Sequence, residues 1–133
     1  MAAALRVIRP SDRVTDVASG AMVREAAVAE QLVGARKLWA GYAELPAGAV
    51  SAPHHHGEAE SVIYVIAGHP RFLVGERLEE ILDAEPGDFV WVPPHVVHVE
   101  ANRSETEPVC MVVCRSTQQA LVFNVPQDPP SSA

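Results

Sequence analysis

The stretch SAPHHHGEAESVIYVIAG, Ser51 to Gly68, sets three histidines side by side and then runs into a β-branched apolar segment. Short apolar runs rich in Val and Ile, bounded by Gly or Pro, are strand signals. On a strand, residues two apart share a face, roughly 6.6 Å apart along the chain. His54 and His56 therefore aim two imidazoles at one point, while His55 aims away. Imidazole nitrogens bind Zn²⁺, Fe²⁺, Ni²⁺, Mn²⁺ or Cu²⁺ at about 2.0–2.2 Å, so His-x-His on a strand is half of a metal site.

A third ligand has to come from a neighbouring strand, and GDFVWVPPHVVHVEAN, Gly87 to Asn102, offers His98. Gly87 and Asp88 make a turn before an apolar strand, Pro93 and Pro94 break it, and His98 opens the next one.

Outward from these stretches the same texture continues. LWAGYAEL (Leu38–Leu45), PRFLVG, EEILDAEPG and PVCMVVCRS are further strand-like runs separated by turn residues. Many short strands at this spacing indicate an antiparallel sandwich or small barrel. The segment around Arg24–Leu32 has apolar residues at Val23, Ala26, Ala27 and Val28 that suit one or two helical turns, interrupted by Gly34. Residues 126–133, PQDPPSSA, carry no core-forming pattern and read as a flexible tail.

Composition removes several function classes. The 133 residues suit one domain, and 48 % apolar content supports a real core. A net charge of −7 and only 5 % aromatic residues disfavour nucleic acid. No apolar run approaches the ~18–20 residues of a membrane span, and the N-terminus lacks a secretory pattern. The expectation is a cytoplasmic protein with reduced thiols. Cys110 and Cys114 lie on one face of one strand, roughly 13 Å apart, too far for a mutual disulfide, and read as small buried hydrophobes. No Ser-His-Asp order, phosphate-cradling loop or reactive Cys–His pair stands out, so catalysis would be metal-borne.

At this point the sequence resembles the cupin family. Cupins carry a glycine, five residues, His-x-His, three or four residues, Glu, six residues and Gly; a second motif has glycine, five residues, Pro-x-Gly, two residues, His, three residues and Asn. Here Gly48, His54 and His56 match the first motif, and Gly87, Pro93, His98 and Asn102 the second. The resemblance implies an all-β double-stranded β-helix, a jelly-roll barrel, over residues 38–125, with little helix. Residues 1–37 would form an N-terminal arm, exchanged in a homodimer. It also implies one divalent transition metal per chain (Zn, Fe, Ni or Mn) and a small-molecule substrate or ligand.

Two positions depart from the pattern. His95 replaces the second-motif glycine, which implies a positive φ there. Counting back from Gly68 lands on Ser61 where the family has its glutamate, and Glu60 stands one residue early. Strict alternation turns Ser61, Ile63 and Val65 toward the lumen and Glu60 away. A bulge or late strand start after Gly57 would turn Glu60 inward. HHHGxxE[S/T]xIYV also resembles a subgroup of small bacterial cupins with Glu before a hydroxyl residue. The expected ligand set is therefore His54, His56, Glu60 and His98, with a three-histidine site beside Ser61 as the alternative.

The other candidates carry blander expectations. His55 faces solvent or supports a ligand from behind, His69 sits in a loop, and His95 lies near the pocket mouth or outside it. Trp39, Tyr42, Phe89 and Trp91 belong to the core or a dimer contact, with one or two lining a cavity. Arg71 and Arg115 are surface residues or anion contacts. Two functions fit: a metal-dependent enzyme of dioxygenase, isomerase/cyclase or lyase/decarboxylase type, or a non-catalytic ligand-binding or sensory protein. No catalytic residue is assignable from sequence.

Overall fold

In a computed structural model, describing residues 4–16, 18, 20–119 and 121–126, the chain forms two antiparallel sheets around a shared core. In chain order the elements are β1 (Val14–Thr15), β2 (Val23–Val28), α1 (Glu30–Val33), β3 (Trp39–Leu45), β4 (His54–His55), β5 (Ser61–Ala67), β6 (Pro70–Val74), β7 (Glu80–Asp83), β8 (Phe89–Val92), β9 (His98–Asn102), β10 (Val109–Arg115) and β11 (Phe123–Asn124). One sheet runs β1-β2-β3-β10-β5-β8 and the other β11-β4-β9-β6-β7. This is the antiparallel sandwich or barrel expected from the strand texture, in the jelly-roll form that the resemblance implies. No helix among the described residues is long and apolar enough to cross a membrane.

Alternation builds the core. Trp39, Ala43 and Leu45 of β3, Ile63 and Val65 of β5, and Val109, Met111 and Val113 of β10 turn inward against Phe72 from the facing sheet. A smaller cluster of Leu73, Leu78 and Val99 covers the other side of β6 and β9. β9 is buried on both faces, which places His98 in the interior.

The helix expected over Arg24–Leu32 forms only at its C-terminal end. Its first half is β2, which pairs along β3 from Val23↔Glu44 to Val28↔Ala40 and buries Arg24 and Ala26. Only Glu30–Val33 makes a single turn, closed by Gly34 at φ 73°. Alanine satisfies either period, and pairing with β3 supplies more partners than an isolated turn does. β1 and β2, from the expected arm, extend the sheet of their own chain. Of the expected tail, residues 127–133 lie outside the described residues.

Asn102, the last residue of the second motif, ties loops together. Its Nδ2 donates to the carbonyls of Leu45, Pro46 and Glu107 at 3.1, 3.2 and 2.8 Å, and its Oδ1 accepts from the Ser104 amide. Asn102→Ala would strip the partner from the buried Leu45 carbonyl and break the loop contacts to Pro46, Glu107 and Ser104, and is expected to cost about 2–3 kcal/mol. Chemical denaturation measures this as a lower midpoint at unchanged slope.

Candidate metal centre

β4 and β9 are adjacent, with His54 directly opposite His98. Their ring centroids lie 4.4 Å apart, and His56, just past β4, brings its ring to 4.9 Å from His54 and 5.3 Å from His98. Ring nitrogens of the three residues all fall within 4.8 Å of one another. His54 and His98 are fully buried and His56 is half-buried.

Each imidazole is oriented from behind. The Nδ1–H of His54 donates to the Ala52 carbonyl at 2.7 Å, that of His56 to Leu121 at 2.8 Å, and that of His98 to Val96 at 3.0 Å. A hydrogen bond at Nδ1 leaves Nε2 as the free lone-pair nitrogen, the usual way a protein fixes the tautomer of a metal-binding histidine. Nε2 of His98 is buried with no hydrogen-bond partner. Three neutral nitrogen donors, one of them an orphaned buried atom, suit a divalent transition metal.

Protonation follows the surroundings. Burial pushes His56 down to about 4 and lowers His54 as well, with His98 adding to the effect. Burial alone would lower His98 too, but the neighbouring Glu100 carboxylate outweighs it and raises the imidazole above its ordinary value.

Among the fourth-ligand candidates, the structure separates Glu60 from the imidazoles. The β5–β10 ladder runs in register past Arg115↔Ser61, and the Ser116 amide donates to the Glu60 carbonyl at 3.0 Å. No bulge interrupts it there; the irregularity in this pair falls at Cys110/Met111. Glu60 therefore points outward, where its carboxylate accepts from the Trp91 indole at 2.8 Å. Ser61, in the register that strict alternation demands, is buried on the lumen side.

Sequence reasoning passed over Glu100. It lies two residues after His98 on the same face of β9, is 3 % exposed, and puts Oε1 3.7 Å from His98 Nε2. Burial alone would raise its pKa, but His98 beside it holds the carboxyl well below the usual range. The signal was in the sequence: alternation from His98 runs through Glu100 to Asn102.

The remaining candidates sort by position. His55 stacks on Phe123, centroids 5.0 Å apart, with the His95 ring 6.0 Å away, and makes no ring contact with His54, His56 or His98. His95 adopts φ 63°, as a glycine position requires, and its Nε2 meets Glu58 at the surface. His69 lies in the β5–β6 turn, and Arg71 pairs with Asp83 through two hydrogen bonds. Arg115 is not on the surface. Its guanidinium stacks 4.0 Å from the Trp39 ring and donates to the carbonyls of Thr117 and Gln118, and burial draws its pKa down to about 10. Cys110 and Cys114 are free and half-buried rather than buried. Trp39 is core, whereas Phe89 and Trp91 are 72 % and 64 % exposed.

Two spaces meet the imidazoles. An inner chamber between Arg24, His56, Ser61, His98, Glu100 and Arg115 leaves about 10 Å³ of free room, on the scale of one water. A groove of about 220 Å³, walled by Phe72, Leu82, Val90, Trp91 and Val96, reaches His98 from outside.

Comparison with known proteins agrees with this architecture. The family model described as Cupin domain matches residues 41–114, more than half of the chain. No curated protein matches the sequence. The polyketide cyclase RemF from Streptomyces resistomycificus superposes with a TM-score of 0.75 at 16 % identity, covering 94 % of this chain and 88 % of its own. KdgF from Halomonas sp. gives 0.69 at 17 %, covering 88 % and 97 %. Oxalate decarboxylase from Bacillus subtilis gives 0.70 at 19 %, covering 86 % of this chain and 30 % of its own. At such identities the likeness is one of fold. With the motif spacing, the jelly roll and the family match in agreement, the chain belongs to the cupin family.

Proposed function

We propose that this cupin holds one divalent transition metal (Zn, Fe, Ni or Mn) on His54, His56 and His98 and acts on a small organic molecule. The observation that carries this reading is the set of three imidazoles with every Nδ1 tied to a backbone carbonyl. Such a site leaves coordination positions open, the arrangement of catalytic rather than structural metals. When bound, the metal would polarise a substrate oxygen or lower the pKa of a bound water.

The chain's own residues supply the rest. The groove beside His98 is apolar and narrower than the roughly 300–1,000 Å³ of drug-sized pockets, which favours a small substrate. Carbonyls of Ala52, Val96 and Leu121 hold the rings in place before any ligand arrives. Dioxygenase, isomerase or cyclase, and lyase or decarboxylase chemistry all suit such a centre; the similar RemF and oxalate decarboxylase are a cyclase and a decarboxylase on this fold.

Elemental analysis is the direct test. Wild type should carry close to one metal per chain, and His56→Ala or His98→Ala should lose it. Full metal in both variants would overturn the reading.

A second reading, a non-catalytic ligand-binding protein, is favoured by the water-sized inner chamber. A small molecule that raises the melting temperature without being turned over would decide for it. The homodimer stands as a further proposal, supported by exposed Tyr64, Phe89 and Trp91 on neighbouring strands β5 and β8. Light scattering at micromolar concentration should report twice the chain mass, and a monomer would refute it.

A further inference from the structure

We propose that Glu100, not Glu60, supplies the carboxylate of the metal centre; this rests on the three-histidine reading above. Glu100 is anchored from both sides. Its amide donates to the Ser51 hydroxyl at 2.9 Å, its carbonyl accepts from the Ser51 amide at 2.8 Å, and Phe72 faces it on β6. That pinning keeps the side chain on the lumen face, beside His98.

The carboxylate is almost fully enclosed, an arrangement that is unfavourable without compensation. Compensation within the protein is incomplete. Glu100 Oε2 is buried with no hydrogen-bond partner, and so is His98 Nε2. The separation of 3.7 Å between Oε1 and that nitrogen is too long for a hydrogen bond, so neither group satisfies the other. Two electron-pair donors left open side by side in one chamber are what a cation between them would satisfy. Arg24 and Arg115 line the same chamber and balance charge there, but neither donates a hydrogen bond to His98 Nε2 or to Glu100 Oε2.

The chemical consequence is a centre of net charge +1 rather than +2, with one oxygen donor. Oxygen donors strengthen binding of harder ions such as Mn²⁺ relative to an all-imidazole set. The departure at Ser61 is then compensated from the other motif: the carboxylate has moved from β5 to β9, two residues from the histidine it accompanies.

Calorimetric titration of Mn²⁺ and Zn²⁺ into metal-free wild type, Glu100→Gln and Glu60→Gln tests this. Glu100→Gln should weaken Mn²⁺ binding by about 100-fold or more and Zn²⁺ less, while Glu60→Gln binds both like wild type. Wild-type affinity in Glu100→Gln, or the loss falling on Glu60→Gln, would overturn the inference and leave the three-histidine site standing. Wild type that binds neither ion would overturn both. If Glu100→Gln does not fold, infrared difference spectra of Zn²⁺ binding to Glu60→Gln replace it. A shifted carboxylate stretch supports the assignment, and its absence overturns it.

Discussion

Lowering the pH from 7 to 4 is expected to weaken metal binding by at least about 100-fold, and the loss should steepen below that. Protons and metal compete for the same lone pairs, so each ligand protonated in the metal-free protein costs a factor of ten per pH unit. His98, raised by Glu100, is the first to compete, and it supplies up to one decade per unit once the pH falls below its raised value. His54 and His56 are held neutral by burial, and His56 joins only near pH 4, doubling the slope there. Glu100, held well below the usual carboxylate range, stays ionised throughout.

The same shifts act on the metal-free fold with opposite signs. His54 and His56 have depressed values, so the unfolded chain binds more protons below 6.5; their contribution is complete above 6.5 and is lost as the pH falls through their folded values, about 4 for His56. For His56 the loss is at most about 3 kcal/mol. His98 is raised, so its contribution is complete below 6.5 and disappears as pH climbs through its folded value. Metal titrations and thermal melts of the metal-free protein across pH 4–8 separate the two effects. An affinity that does not change over this range would contradict coordination by His98.

Much of this site was legible in the chain, for reasons that also explain what was not. Alternation is a local rule, and it placed Ser61, Ile63 and Val65 inward because β5 is a regular seven-residue strand. It was less secure for His56, since β4 ends at His55. The inward aim of His56 is fixed by the Leu121 carbonyl, a partner 65 positions away that no local pattern reveals. Glu60 attracted the ligand assignment because motif spacing tolerates one residue of slack, whereas a ladder without a bulge tolerates none. Glu100 was missed because a motif written as histidine, three residues, asparagine hides the middle position, which shares their face. The helix expected at Arg24–Leu32 fell short for a different reason. Its alanines carry little periodic information, and the decision came from the long-range partner β3.

Gly68→Ala is expected to cost about 3 kcal/mol or more, against about 1 kcal/mol for Gly87→Ala. Both glycines belong to the cupin motifs, and both hold positive φ, 90° and 95°. An alanine pays a similar backbone penalty at either place, about 1–2 kcal/mol. They differ in what a Cβ would meet. At Gly87 nothing lies within 4 Å. At Gly68, where the chain passes from β5 in one sheet to β6 in the other, a Cβ would sit 2.5 Å from the Pro108 carbonyl oxygen and 2.8 Å from the Val109 Cα. Those are backbone atoms at the entrance to β10, paired with β3 on one side and β5 on the other, so they cannot yield without disturbing both ladders. Overpacking of this kind adds about 1–3 kcal/mol to the conformational strain. For a domain of this size the melting temperature should drop by roughly 10 °C in Gly68→Ala and by only a few degrees in Gly87→Ala. Equal drops would mean that φ alone governs both positions and that the corner has more room than its backbone spacing allows.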